Sequence, residues 1–160
     1  MVRIAEAKTR NQISSAKELI REYAASLGVL GLDLSFENFE QEMAEFPGAY
    51  ARPDGRVLLA IEGGGAVGVV ALRRLPGKSC EMKRMYVKPE FRGRGIGRML
   101  ANRAIGEARD IGYSRMRLDT LARLKEAVFL YDSLGFKKVR PYTINPHKDA
   151  AYMELNFGRL

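Results

Sequence analysis

Three strand-like runs follow one another in the middle of the chain, and a loop of glycine and arginine then hands over to a helical period. "RVLLAIE" (56–62), "AVGVVALRRL" (66–75) and "CEMKRMYVK" (80–88) are rich in β-branched and apolar residues. The triplet Gly63-Gly64-Gly65 between the first two suits a tight hairpin. After the third, "RGRGIGRML" (92–100) sets arginines among glycines, and the apolar line Ile96, Leu100, Ala104, Ala108 and Ile111 begins within it, closed by Gly112. A loop held between a strand and a helix can turn several backbone N–H groups toward one point. The first N–H groups of a helix are unpaired and carry partial positive charge, so such a point attracts phosphate.

The rest of the chain supplies the frame. "VRIAEA" alternates like a short first strand, and Thr9 or Asn11 can cap a helix through "SSAKELIREYAASL" with Ala16, Leu19, Ile20, Tyr23 and Leu27 on one face. A second helix is expected over "FENFEQEMAEF", where Phe36, Phe39, Met43 and Phe46 recur at helical spacing before Pro47-Gly48 stops it. Downstream, "SRMRLDT" reads as a strand and "LKEAVFLYDSL" as a helix ended by Gly135. "FKKVRPY" and "AAYMELNF" read as the last two strands. The order is β-α-α-β-β-β-α-β-α-β-β, with no repeat, linker or low-complexity tract, so residues 1–160 are expected to form one domain.

Charge supports the reading of the loop. Residues 1–62 carry 7 Lys/Arg and 10 Asp/Glu, whereas residues 63–160 carry 20 and 9, and 12 of those bases fall within residues 81–125. Arg92, Arg94 and Arg98 add full charges to the loop, and the glycines let an anion approach the backbone. The spacing is neither G-x-G-x-x-G nor G-x-x-x-x-G-K-[ST], which argues against a Rossmann or P-loop nucleotide site. On its own the stretch is equally consistent with a phosphate cradle and with an exposed basic turn.

Cysteine and histidine usage narrow the chemistry. With Cys80 alone no internal disulfide can form, and with His147 alone no zinc site of the usual Cys/His kind can be built. No run of 18 apolar residues and no leader-like h-region is present, so a soluble, cytoplasmic protein with no membrane association is expected.

Taken with its surroundings, "MYVKPEFRGRGIGRML" resembles the acetyl-CoA-binding motif of the GCN5-related N-acetyltransferase (GNAT) family, Gln/Arg-x-x-Gly-x-Gly/Ala, here Arg92-Gly93-Arg94-Gly95-Ile96-Gly97. "AVFLYDSLGF" resembles the family's Ala-x-x-x-Tyr-x-x-x-Gly-Phe segment at Ala127, Tyr131, Gly135 and Phe136. The resemblance implies the α/β (α+β) GNAT fold, a mixed central sheet of six to seven strands flanked by about four helices. It also implies transfer of an acetyl group from acetyl-CoA to an amine, with no metal. The pyrophosphate would be held by backbone N–H groups of residues 92–98. Gly95 and Gly97 would permit its close approach, and Gly93 is an addition to the family pattern. The pantetheine arm would pair with the backbone of Met85, Tyr86 and Val87, and an N–H near Val87 would polarise the thioester carbonyl.

Two proton transfers accompany attack of the amine on the thioester. A departing thiolate, of pKa about 8.5 as the thiol, is helped by an acid within reach, and Tyr131 occupies the family's position for it. The alternative is that Tyr131 only continues the apolar stripe of its helix. An amine of pKa about 10 must lose a proton. Glu81 lies eleven residues before Arg92, the gap found for the base in the histone-acetylating branch of the family. Alternation puts it on the face of Lys83, Met85 and Val87. The alternative there is a strand carboxylate paired with a neighbouring Arg or Lys.

One departure from the family concerns the cofactor: three residues before Ala127 stands Leu124, where the family often has Asn, so that contact is absent or is replaced from Asp119 or Thr120. The acceptor side is expected from the first two helices and the last loop. Asp33, Glu37, Glu40 and Glu42 either suit a cationic amine or are solvated, and His147 is either at the acceptor site or incidental. A small-molecule amine is the favoured acceptor, with a protein Lys or N-terminus, a CoA sensor without turnover, and a basic nucleic-acid-binding module as alternatives. Self-association into a homodimer is left open.

Overall fold

The computed structural model describes residues 1–35 and 38–158. Phe36 and Glu37, named above for the second helix and the acidic run, lie outside the described residues. The elements run β1 (Arg3–Glu6), α1 (Arg10–Val29), α2 (Phe39–Glu45), β2 (Arg56–Glu62), β3 (Gly65–Leu75), β4 (Ser79–Val87), α3 (Ile96–Ile111), β5 (Arg115–Leu121), α4 (Lys125–Ser133), β6 (Lys137–Lys138) and β7 (Ala150–Asn156). The seven strands form one sheet in the order β1-β2-β3-β4-β5-β7-β6. Its pairs are antiparallel except that of β4 with β5. The architecture has the strands and helices that the order of elements predicted, in the mixed sheet that the resemblance implied. No helix among the described residues is long and apolar enough to cross a membrane.

Local chemistry explains the boundaries. Thr9 closes a capping box on α1, its hydroxyl accepting from the Gln12 N–H while the Gln12 side chain accepts from the Thr9 N–H. The β2–β3 turn uses Gly63 and Gly64 at φ 60° and 82°, the two left-handed residues that a two-residue hairpin turn requires. The strand expected over 136–142 keeps only Lys137 and Lys138 in ladder pairing with β7. Pro141, with no N–H to give, stands where the chain leaves the sheet.

Helices cover both faces. Leu58, Val70 and Leu72 pack with Leu100, Ala104 and Tyr131 on the side of α3 and α4, while Val57, Leu59 and Val69 pack with Leu19, Ile20 and Met43 on the side of α1 and α2. Central strands buried on both faces read as nearly continuous apolar runs, which is how "RVLLAIE" and "AVGVVALRRL" read. Cys80 is buried in the first of these clusters, its Sγ 3.5 Å from the Arg115 carbonyl oxygen.

An ion pair fixes α3 to the start of β2. The Arg56 guanidinium donates to Glu107 Oε1 at 2.7 Å and to the carbonyl oxygens of Pro53 and Gly55, and Arg103 donates to the other Glu107 oxygen at 3.0 Å. Burial alone would raise the Glu107 pKa, but its hydrogen bonds to Arg56 and Arg103 outweigh burial and lower it. A carboxyl lowered on folding stabilises the protein above its unfolded pKa, and that contribution disappears as pH falls through the folded value. Glu107→Gln is therefore expected to cost about 1–3 kcal/mol at pH 7. The deficit should begin to shrink below about pH 4.3, where the unfolded chain takes up its proton. Urea midpoints of both proteins at neutral and acid pH check this, and a deficit that persists in acid would assign the effect to packing instead.

Candidate active site

A single extra residue interrupts the β3–β4 ladder. Between the pairs Ala71–Lys83 and Val69–Tyr86, β3 advances two residues and β4 three, the signature of a β-bulge. Arg84 sits in it at φ 62°, an uncommon left-handed conformation for a non-glycine residue. Two charge-assisted hydrogen bonds to Glu42, at 2.8 and 3.0 Å, and the Phe39 ring 5.3 Å from the guanidinium carbon hold it there. On the other edge of β4 the strands part before the bulge is reached. The parallel β4–β5 ladder contains only the pairs from Ser79–Arg115 to Glu81–Arg117, so among the described residues no strand pairs with the β5-facing edge of residues 85–87.

The bulge also reverses the face of every residue after it. Met82 lies on the α3/α4 side, and so do Met85 and Val87. Glu81 and Lys83 pair with Arg73 and Ala71, and Ala71 belongs to the α1/α2 side. The expectation that Glu81 shares a face with Met85 and Val87 is thus corrected: simple alternation fails because Arg84 inserts one residue between them. Glu81 is 1% exposed, with Oε1 accepting from Arg73 Nε at 2.8 Å and Oε2 from the Tyr142 hydroxyl at 2.6 Å. It does not line the cavity at the strand opening.

That cavity, of about 150 Å³, runs through the sheet where β4 and β5 separate. Met85 of β4, Asp119 and Thr120 of β5, Leu124 at the N-cap of α4, and Ala127 and Tyr131 of α4 line it together with Tyr23 of α1. Asp33, Asn145 and His147 line it from the loops beside α1 and β7. Tyr131 is 7% exposed, its ring edge-on to Phe136 at 5.8 Å, and its hydroxyl has no hydrogen-bond partner among the described residues. Burial, with Tyr23 nearby, pushes its pKa well above that of an ordinary phenol, so it keeps its proton at neutral pH. A buried, protonated, otherwise unengaged hydroxyl facing a cavity is suited to giving a proton to a group inside it.

The glycine loop lies between the end of β4 and the start of α3. Gly93 and Gly95 are left-handed at φ 80° and 78° while Arg94 between them is not, an alternation that turns successive N–H groups into one concave nest. A Cβ at either glycine would meet nothing within 4 Å. Gly95 is the N-cap of α3, makes no side-chain cap, and leaves the N–H groups around Ile96 directed outward. Gly97, inside α3, is not left-handed, and a Cβ there would make an ordinary contact with Leu130 of α4 at 3.5 Å.

The loop arginines are engaged by protein groups. Arg92 donates to the Val87 carbonyl at 2.9 Å and lies over the Tyr86 ring, Arg94 reaches Glu62 at 3.3 Å, and Arg98 donates to the Ser133 hydroxyl at 2.7 Å. Tyr86 itself turns into the α1/α2 side. The structure thus brings Met85 and Tyr131 to one cavity, leaves Glu81 outside it, and adds Tyr23 and Asn145. Tyr23 carried only the signal of an apolar helix face, and Asn145 none beyond a loop "NPH".

Comparison with known proteins matches residues 17–136 to the acetyltransferase (GNAT) family. An uncharacterized N-acetyltransferase of Schizosaccharomyces pombe is 40% identical over 160 residues, covering 99% of this chain and 96% of that one. Among solved structures, an acetyltransferase of the GNAT family from Staphylococcus aureus has a TM-score of 0.81 at 20% identity, covering 99% of this chain and 100% of its own. The PaiA N-acetyltransferase of Thermoplasma acidophilum, in complex with coenzyme A, has a TM-score of 0.76 at 19% identity, covering 98% and 99%. With the glycine nest, the parted strands and the tyrosine in one fold, and with three quarters of the chain matched, this chain belongs to the acetyltransferase (GNAT) family and is an N-acetyltransferase.

Proposed function

We propose that the protein transfers the acetyl group of acetyl-CoA to a primary amine of a small molecule by direct attack on the thioester. The observation that carries this reading is the cavity through the parted strands, with the protonated Tyr131 hydroxyl on its α4 side and loop residues on the other. The coenzyme A complex of the similarly folded PaiA protein supports the choice of donor. So does the nest at Gly93–Gly95, whose left-handed glycines and uncapped helix start offer the backbone donors that a pyrophosphate needs.

In the reaction a C–N bond forms, the C–S bond breaks, and the sulfur receives a proton. Tyr131 holds that proton. The edge of Met85–Val87 offers backbone groups along which an extended arm can pair, and an N–H there can donate to the thioester oxygen. The amine proton leaves toward the side lined by Asp119 and His147.

A panel of small amines, amino acids and Lys- or N-terminus-presenting peptides, scored by release of CoA thiol, tests the proposal. Turnover of small amines well above that of the peptides is the expected result. Preference for peptides would move the reading to a protein acetyltransferase, and acetyl-CoA binding without turnover of any amine would move it to a sensor.

A further inference from the structure

The segment of residues 139–149 crosses the acceptor side of the sheet as a strap tied to it by backbone bonds at its two ends, the Val139 N–H to the Tyr152 oxygen and the Ala122 N–H to the Asp149 oxygen. Side chains fasten it. Tyr142 donates to Glu81, the Tyr152 hydroxyl donates to the Thr143 carbonyl at 3.0 Å, and Asn145 donates to Asp119 at 3.1 Å. Arg123 closes its far end with two guanidinium bonds to Asp149, at 2.8 and 2.9 Å. Two residues of this strap, Asn145 and His147, line the cavity.

The fastening at Tyr142 is the deepest. Its ring lies edge-on to Tyr152 at 5.6 Å and under the Arg117 guanidinium at 5.6 Å, while Arg117 is itself held by Glu154 at 2.8 Å. Burial, then the neighbouring Glu81, raise the Tyr142 pKa far above the ordinary value, so the phenol donates and the carboxylate accepts. Among the described residues, the charged and titratable groups on Glu81's side include Arg73 from β3, Lys83 from β4 itself, Arg117 from β5 and Tyr142 from the strap. Both Glu81 oxygens are occupied, and the Tyr142 hydroxyl is bonded to the one on the strap side.

We propose that Glu81 is a positioning residue: with Arg73 it forms a buried socket for the Tyr142 hydroxyl, and so sets the height at which the strap carries Asn145 and His147 over the acceptor end of the cavity. Glu81 therefore does not take the amine's proton. Its effect on the reaction passes through acceptor binding, a reading that rests on the strap side of the cavity being the acceptor side.

Glu81→Gln and Tyr142→Phe are compared with the wild-type chain, using the best amine from the panel. In both variants the acceptor KM is expected to rise about tenfold while kcat and the KM for acetyl-CoA stay within about twofold. Glu81→Gln should keep the acidic limb of the kcat/KM profile. Loss of that limb, or an acceptor KM unchanged in Tyr142→Phe, overturns the proposal. Tyr142→Phe removes one oxygen and keeps the ring, so it reads the socket even if Glu81→Gln does not fold. Amide hydrogen exchange over residues 139–149 supplies a second readout that needs no acceptor: it should quicken about tenfold in Tyr142→Phe, and unchanged exchange overturns the proposal. If the wild-type chain turns over no amine, the acetyl-transfer reading is what fails, and the exchange result still decides the socket.

Discussion

Tyr131→Phe is expected to lower turnover about tenfold or more while leaving CoA affinity within about twofold. The substitution removes only the hydroxyl. That hydroxyl makes no protein hydrogen bond among the described residues, so its loss leaves no buried partner unsatisfied, and the ring keeps its edge-on contact with Phe136. Any rate loss therefore reports on proton delivery. A tenfold loss corresponds to about 1.4 kcal/mol in the barrier, within the range of a general acid whose role water partly replaces. Single-turnover rates and CoA titration separate the two quantities. Turnover equal to wild type would leave Tyr131 as a packing residue, the other reading of the apolar stripe on α4.

Gly95→Val is expected to abolish measurable CoA binding, whereas Arg94→Ala should weaken it by only about three- to tenfold. The order follows from geometry. Gly95 is at φ 78° as the N-cap of α3, a conformation that a β-branched residue scarcely adopts, so valine must distort the nest or the first turn of the helix. The Arg94 side chain is about half exposed and shares its charge with Glu62, so its attraction for a phosphate is screened by solvent and by that carboxylate. Calorimetric titration with CoA checks both. Stronger loss in Arg94→Ala than in Gly95→Val would assign the anion to side chains. A thermal midpoint for Gly95→Val near that of wild type would show that the loss is local.

What the sequence disclosed was what local chemistry governs. The Gly63-Gly64 turn, the three apolar strands, the Thr9 cap and the glycine loop ahead of α3 each depend on residues within a few positions of one another, and each stands where its composition put it. The bulge in β4 left no such mark. Its left-handed residue is an arginine, held by Glu42 and Phe39 from a distant helix, and nothing in "CEMKRMYVK" distinguishes a strand with one inserted residue from a regular one. The face of Glu81 turned on that single residue. The side chains lining the cavity were hidden for a related reason, since Tyr23, Asp119 and Asn145 come from three separate parts of the chain and meet only in the folded sheet. Pro141 was the one readable sign that the sixth strand would end early.

Cys80, sealed between the sheet and α3, has a practical consequence at the bench. Burial pushes its thiol up to about 12, and it is 0% exposed. As it is the chain's lone cysteine, the native protein should contribute no colour to a disulfide reagent such as Ellman's at pH 8. Every equivalent of chromophore released in an assay can then be counted as coenzyme, and the slow appearance of one equivalent per chain becomes a clock for global unfolding.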